Sequence, residues 1–242
     1  EDVAANGTRI EINTNVSAGN FIRPAGLDFN EGDIGLSTGQ LLRPYDLALA
    51  ASMNVPWLKV RRKPRVAILA TGNELVMPGE PIKANQIISS NNIGLAAFLE
   101  SAGAQPIDLG IALDNEQSLM ALAADAADVD MLVTIGGASV GDHDLVQKVL
   151  GHAGLKISFW RIAMRPGKPL MFGKFGSAAM LGLPGNPVSA LVCSLIFLRP
   201  AIAKMLGQKD TEVKMEDAEV GVKLPPNDQR EDYLRATLAP GP

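Results

Sequence analysis

Residues 131–144, Met-Leu-Val-Thr-Ile-Gly-Gly-Ala-Ser-Val-Gly-Asp-His-Asp, set an apolar run against a glycine turn and then three ionisable side chains. Gly136, Gly137 and Gly141, with Ser139 among them, let backbone N–H groups approach a ligand. A helix opening near His143 would add unpaired donors and a positive dipole end, completing an anion cradle. Asp142 and Asp144 would repel a phosphate that was the cradle's only guest. They fit if a divalent cation or a cationic side chain stands between them and the anion. The chemistry indicated is a phosphate-bearing ligand handled with metal help.

Further acids and bases surround this stretch. Glu74 follows Thr71-Gly72-Asn73, and Asp114 stands in Ile111-Ala112-Leu113-Asp114-Asn115. Each also reads as turn or helix-cap chemistry, as do Asp142 and Asp144 in a first helical turn. Carboxylates gathered without bases are costly, so Glu74, Asp114 and Asp144 brought together would call for a cation. Arg161, Arg165 and Lys168 supply three positive charges in eight residues beside Pro166-Gly167. Arginine suits bidentate oxyanion contacts and lysine a point charge; a solvated basic loop is the plainer alternative. In Leu183-Pro184-Gly185-Asn186-Pro187, Asn186 reads as an N-cap and Pro187 as the first helical residue, another set of N–H donors. His143 and His152 have no cysteines at zinc-binding spacing, and neither a serine-hydrolase elbow nor a P-loop is present.

The elements that must position these residues alternate. Strands are predicted at 66–70, 106–111, 131–135, 155–160, 169–173 and 178–183. Helices are predicted at 91–102, 116–127, 143–152 and from Pro187 to Leu206. Such alternation means an α/β fold, a mostly parallel sheet with helices on both faces. Ligands bind such sheets outside the carboxyl ends of the strands, so the turns at 71–74, 111–114, 136–144 and 183–187 should converge on one rim. Four segments are expected. Residues 1–14 read as a lead-in strand without an obvious partner, or the remnant of an inserted domain. Residues 15–62 read as a small mixed α/β unit with a helix at 44–53 and a strand at 57–60. Residues 63–207 form the α/β domain, and 208–242 read as the start of a cut β-rich domain, its first strand near 218–224.

Composition adds exclusions. A net charge of −4 with scattered acids and bases argues against a nucleic-acid surface. One cysteine, Cys193, rules out an intrachain disulfide and fits a reducing cytoplasm. The strongly apolar stretch 190–198 is half of the roughly 20 residues that a membrane span needs. No initiator Met opens the chain and Pro240-Gly241-Pro242 closes it, as expected of a piece of a longer protein.

Four motifs in fixed order, Thr71-Gly72-Asn73-Glu74-Leu75, Gly136 to Asp144, Arg165-Pro166-Gly167-Lys168-Pro169 and Leu183-Pro184-Gly185-Asn186-Pro187, resemble those of the molybdopterin molybdenumtransferase family, the MoeA and gephyrin E-domain type. Ile22-Arg23-Pro24-Ala25-Gly26-Leu27-Asp28 is similar to that family's stretch before its central domain. The resemblance implies insertion of molybdate into adenylylated molybdopterin, assisted by Mg²⁺, with release of AMP. It places Asp28, Glu74, Asp114 and Asp144 at acidic site positions, Glu74, Asp114 and Asp144 being the metal side. Arg161 and Arg165 fall at basic positions with Lys168 beside them, and Pro184 and Pro187 in the Pro-Gly-Asn-Pro turn. It also implies a cytoplasmic homodimer with a site shared between subunits, small-molecule substrates, and handover of cofactor to molybdoenzymes or other biosynthesis proteins. Adenylylation of molybdopterin and a non-catalytic, gephyrin-like scaffold are the competing readings. Three departures stand out: Asn73 where the family usually has Asp, and Arg161 and Arg165 where lysines are common.

Overall fold

The computed structural model describes residues 3–13, 15, 17–126, 128–136 and 143–239, with backbone alone for 143–145. The chain divides into two compact units, Glu1–Leu58 and Lys59–Pro242.

In the first unit, β1 (Val3–Asn6) and β2 (Arg9–Ile12) form an antiparallel hairpin, Val3 facing Ile12 and Asn6 facing Arg9. Gly7, at φ +62°, takes the first position of the two-residue turn, a conformation that only glycine adopts cheaply. The strand expected to stand alone therefore has its partner immediately upstream. Helix α1 (Pro44–Ser52) starts on a proline that needs no N–H, and Asp46 Oδ2 accepts from the Arg43 N–H at 2.8 Å. The strand expected at 57–60 does not form. Trp57 is 88% exposed, no neighbouring strand meets it, and Pro56 removes a ladder donor beside it. Between 15 and 58 the described residues contain a helix and no strand, where a mixed unit was expected.

The second unit holds, in order, β3 (Arg65–Thr71), β4 (Leu75–Val76), β5 (Ile87–Ile88), α2 (Asn91–Ser101), β6 (Gln105–Ala112), α3 (Glu116–Ala124), β7 (Met131–Ile135) and α4 (His143–His152). There follow β8 (Leu155–Trp160), β9 (Met164–Arg165), β10 (Met171–Phe175), β11 (Ala178–Leu183), α5 (Pro187–Cys193), a π segment (Ser194–Leu198), α6 (Arg199–Met205) and β12 (Glu231–Asp232). The main sheet runs β6-β3-β7-β11-β10-β8. Its first four strands are mutually parallel, and β10 is antiparallel to both neighbours because the two-residue turn Gly176-Ser177 folds it directly onto β11.

Period-two alternation sends successive side chains of each strand to opposite faces. Val66, Ile68, Met131, Val133, Leu181 and Leu183 meet Leu95 and Leu99 of α2 with Cys193, Leu198 and Ile202 of the long C-terminal helix. Ala67, Leu69, Leu132 and Met180 meet Leu119 of α3 with Val146, Val149 and Leu150 of α4. Helices thus cover both faces, and the central strands, buried on both sides, are continuously apolar. The helix Pro187–Met205 is long and apolar enough to cross a membrane by length and composition, longer than the stretch 190–198 had implied. Its Cys193, Leu198 and Ile202 are instead fully buried against the sheet. Beyond it, no strand forms at 218–224. Val220 and Val222 are 60% and 70% exposed, and alternation without a pairing edge buries nothing. The tail contributes β12, which pairs in parallel with β9.

Candidate functional site

The carboxyl ends of β6, β3, β7, β11 and β8 lie along one edge of the sheet, and the loops leaving β6, β3, β7 and β11 are knitted to their neighbours. Gly72 N donates to Ala112 O at 3.2 Å. Asn73 and Asp114 exchange reciprocal bonds, Asn73 N to Asp114 Oδ2 at 3.1 Å and Asp114 N to Asn73 Oδ1 at 3.0 Å. Here Asn73 serves as the neutral member of the pair, whereas an aspartate would set a second carboxylate beside Asp114. Glu74 is exposed, and its carboxylate lies back over Gly72, where a Cβ would sit 2.6 Å from Oε2. Its backbone is fixed by Ile87 N donating to Glu74 O at 2.7 Å.

The middle of the rim is the closest approach. Gly136 donates to Leu183 O at 3.2 Å and takes φ +87°. A Cβ there would lie 2.7 Å from Thr71 O. A Cβ on Gly185 would lie 3.4 Å from the Gly136 α-carbon, and Asn91 Nδ2 donates to Gly185 O at 2.8 Å. Pro184 is buried behind this turn. Asn186 Oδ1 accepts from Val188 N at 3.1 Å and Ser189 N at 3.2 Å, capping the helix that Pro187 begins. The loops after β3, β7 and β11 therefore close on one another at Gly136, against the Thr71 carbonyl on one side and Gly185 on the other, and the absence of side chains on the two glycines leaves the backbone open to a ligand. Gly137, Ser139, Gly141 and Asp142 lie outside the described residues, as does the side chain of Asp144.

The basic loop spans the gap from β8 to β10 on the same edge. Arg161 N donates to Leu170 O and Ile162 N to Lys168 O, both at 3.0 Å. Arg161 has φ +64°, and its guanidinium stacks 3.9 Å from the centroid of the Trp160 ring. Gly167 packs on the helix, a Cβ there meeting Cys193 Sγ at 2.8 Å, and the Arg165–Pro166 peptide is cis. Arg165 pairs with Asp232 and, at 3.9 Å, with Asp228; the Asp232 hydrogen bond holds its guanidinium above the ordinary pKa. Lys168 is exposed. With strands about 4.8 Å apart, Asp114 and Glu74 stand roughly 19–24 Å from the Arg161 end of the rim. Asp28 belongs to the first unit, where Arg23 Nη2 contacts both its oxygens at 2.6 and 2.5 Å.

Among the described residues no three His, Cys, Asp or Glu side chains gather as a metal cluster. Sequence reasoning passed over Thr71 and Thr134, whose hydroxyls are buried and find no hydrogen-bond partner among the described residues. It also passed over Asn91, Asp228 and Asp232. Polar residues ending otherwise apolar strands were the available clue for the threonines; the two aspartates gave none, being over 60 residues from the loop they touch.

The chain is 42% identical over 189 residues to the molybdopterin molybdenumtransferase of Haemophilus influenzae, covering 78% of this chain and 46% of that protein. It is 36% identical over 243 residues to the namesake protein of a Nostoc species, covering 98% and 56%. The chain thus spans about half the length of these curated relatives. The crystal structure of a molybdopterin biosynthesis MoeA protein from Pyrococcus horikosii superposes with a TM-score of 0.71 at 32% identity, over 86% of this chain and 52% of that one. The family model described as a probable molybdopterin binding domain matches residues 67–204, which runs from within β3 through most of α6 and takes in the whole knitted rim. By that match the chain belongs to the molybdopterin-binding domain family.

Proposed function

We propose that this chain belongs to a protein that inserts molybdate into adenylylated molybdopterin, releasing AMP and the molybdenum cofactor. The observation that carries the reading is the rim: three loops closing at Gly136, against Thr71 and Gly185, with carboxylates at one end and the Arg161–Lys168 loop at the other. A ligand with a nucleotide phosphate in its middle and an oxyanion acceptor at one end matches that order of charges. The relatives' names point the same way.

In this reading the glycine turn at Gly136 and Gly185 lets the phosphates approach the backbone, and Asn186 keeps the helix start rigid behind them. Arg161 and Lys168 attract molybdate, a dianion, to the dithiolene end. Mg²⁺ fits the donor set, because it takes one or two carboxylates and fills its remaining positions with water and phosphate oxygens. Glu74 and Asp114, with Asp144 by family register, would hold it, and it would neutralise phosphate charge. A homodimer, a cytoplasmic setting and handover to molybdoenzymes go with the same reading.

The test supplies the chain with adenylylated molybdopterin, Mg²⁺ and molybdate. AMP release that depends on molybdate is the expected result, lowered by Asp114→Ala and Arg161→Gln. ATP consumption with molybdopterin would instead support adenylyl transfer, and no AMP release at all would defeat the catalytic reading.

A further inference from the structure

The two arginines of the basic loop have opposite surroundings. Arg161 lies flat on Trp160, and among the described residues no carboxylate pairs with it or with Lys168. Arg165 is held by Asp232 and Asp228, and Asp228 is in turn held by Arg230 at 2.5 Å. Two positive and two negative groups cancel there, so an incoming anion gains little from Arg165. The Arg161–Lys168 pair keeps its charge.

From this contrast we infer that Arg165 is a positioning residue: one half of a clasp by which the segment Asp228–Tyr233 fixes the basic loop and leaves Arg161 and Lys168 to face the anion. The identity of that anion as molybdate rests on the proposed function. The clasp has a backbone frame as well as charges. Glu231 N donates to Ala163 O at 2.9 Å and Tyr233 N to Arg165 O at 2.7 Å, with β12 lying along β9. Tyr233 and Ile162 both pack on the core face beside α2 and the C-terminal helix. The side chain of Asp232 is 6% exposed, against 49% for Arg165, and its Oδ1 is buried without a partner among the described residues. Were Arg165 to swing to an oxyanion, Asp232 would keep a buried charge with neither oxygen paired, which is strongly unfavourable. The pair is therefore a fixed contact rather than a tail carboxylate waiting to be displaced.

The experiment uses the full chain, with molybdate as the probe in calorimetry and hydrogen exchange read at the Glu231 and Tyr233 amides. Circular dichroism checks that each variant folds. Asp232→Asn should speed exchange at both amides by about tenfold or more. The same change should weaken molybdate binding by about three- to tenfold, and Asp232→Glu should restore much of both. Arg161→Gln should weaken binding by about tenfold or more with tail exchange unchanged. Tighter molybdate binding by Asp232→Asn would overturn the inference, since it would show a ligand arginine released. So would an Arg165→Gln variant that loses as much affinity as Arg161→Gln while its tail exchange stays normal. A wild-type chain that binds no molybdate would sink the insertion reading alone. The exchange arm would then decide the clasp, faster exchange in Asp232→Asn supporting it and unchanged exchange overturning it.

Discussion

Replacing Gly136 by alanine tests the rim where it is tightest. Two costs add. At φ +87° an L side chain is strained, worth about 1–2 kcal/mol. The new Cβ would also stand 2.7 Å from Thr71 O, inside the 3.0 Å that real Cβ atoms essentially never cross. The obstacle is backbone of a central, doubly buried strand, so relief requires β3 and β7 to part by some tenths of an ångström, costing about 1–3 kcal/mol. Gly110 supplies the control, with φ +84° and nothing within 4 Å of its built Cβ. Gly110→Ala therefore carries the strain without the collision. Urea denaturation of both variants should put Gly136→Ala about 2–5 kcal/mol below the parent chain and Gly110→Ala only about 1–2 below it. The difference isolates the contact between the loops after β3 and β7. Equal losses, within about 0.5 kcal/mol, would refute the close approach on which the anion cradle depends.

Three further outcomes follow from individual contacts. Asn186→Ala removes the acceptor for the Val188 and Ser189 N–H groups and should cost about 1 kcal/mol in denaturant melts, with Asn186→Asp recovering most of it; no loss would mean the cap is idle. Burial pushes the Cys193 thiol up to about 11, so at pH 8 only about one thiol in a thousand is ionised, against roughly a quarter for a free cysteine. Its reaction with a disulfide reagent should be at least about a hundredfold slower in the folded chain than in urea, and comparable rates would contradict its place against Gly167. The Arg230 guanidinium, then the Arg230 N–H, hold the Asp228 carboxyl down at about 2. Its folded pKa lies below the unfolded one, so its contribution is full above roughly pH 4 and vanishes as pH falls through about 2. Carboxyl carbon titration by NMR should find that midpoint, and Arg230→Gln should raise it; a parent midpoint near 4 would remove the pair.

The α/β domain was legible because each of its elements carries a local pattern that tertiary structure agrees with. β7 ends before Gly136, α4 begins at His143, β8 starts after Gly154 and β11 ends before Pro184, and helices on both faces explain why the apolar runs of β7 and β11 do not alternate. The hairpin at 3–12 escaped although Asn6-Gly7 marks it, because the apolar residues before that turn are too few to read as a strand. Trp57–Val60 and Ala218–Leu224 have strand-like composition yet no partner, and β-propensity describes fit to a neighbour rather than a backbone preference. The π segment was legible in hindsight from Pro200, whose missing N–H and ring would conflict with Ile196 O four residues earlier. Among site residues, sequence brought Asn73, Asp114, Gly136 and Gly185 to one rim, since strand ends in a parallel sheet share an edge. It could not pair Arg165 with Asp232. That contact depends on the path taken by residues 206–230, which have no regular secondary structure of their own.

The order of charges along the rim constrains the ligand more than any one motif does. A small oxyanion at Arg161 would stand about four strand spacings, roughly 19 Å, from Glu74, beyond two Debye lengths at physiological salt. Acids at that distance neither help nor hinder a lone molybdate, and a lone phosphate needs no arginine so far away. Both ends matter together only if one molecule reaches both, with its phosphates over the glycine contact at Gly136 and its reacting end near the loop held by Asp232. The pterin–pyrophosphate–nucleotide proposed above as substrate carries its groups in that order. The same reasoning separates the two arginines. A cation meant to bind a released oxyanion must stay unpaired until the ligand arrives, and among the described residues no carboxylate pairs with Arg161 on its indole platform. A cation meant to hold the loop in place must already have spent its charge, as Arg165 has on a buried carboxylate.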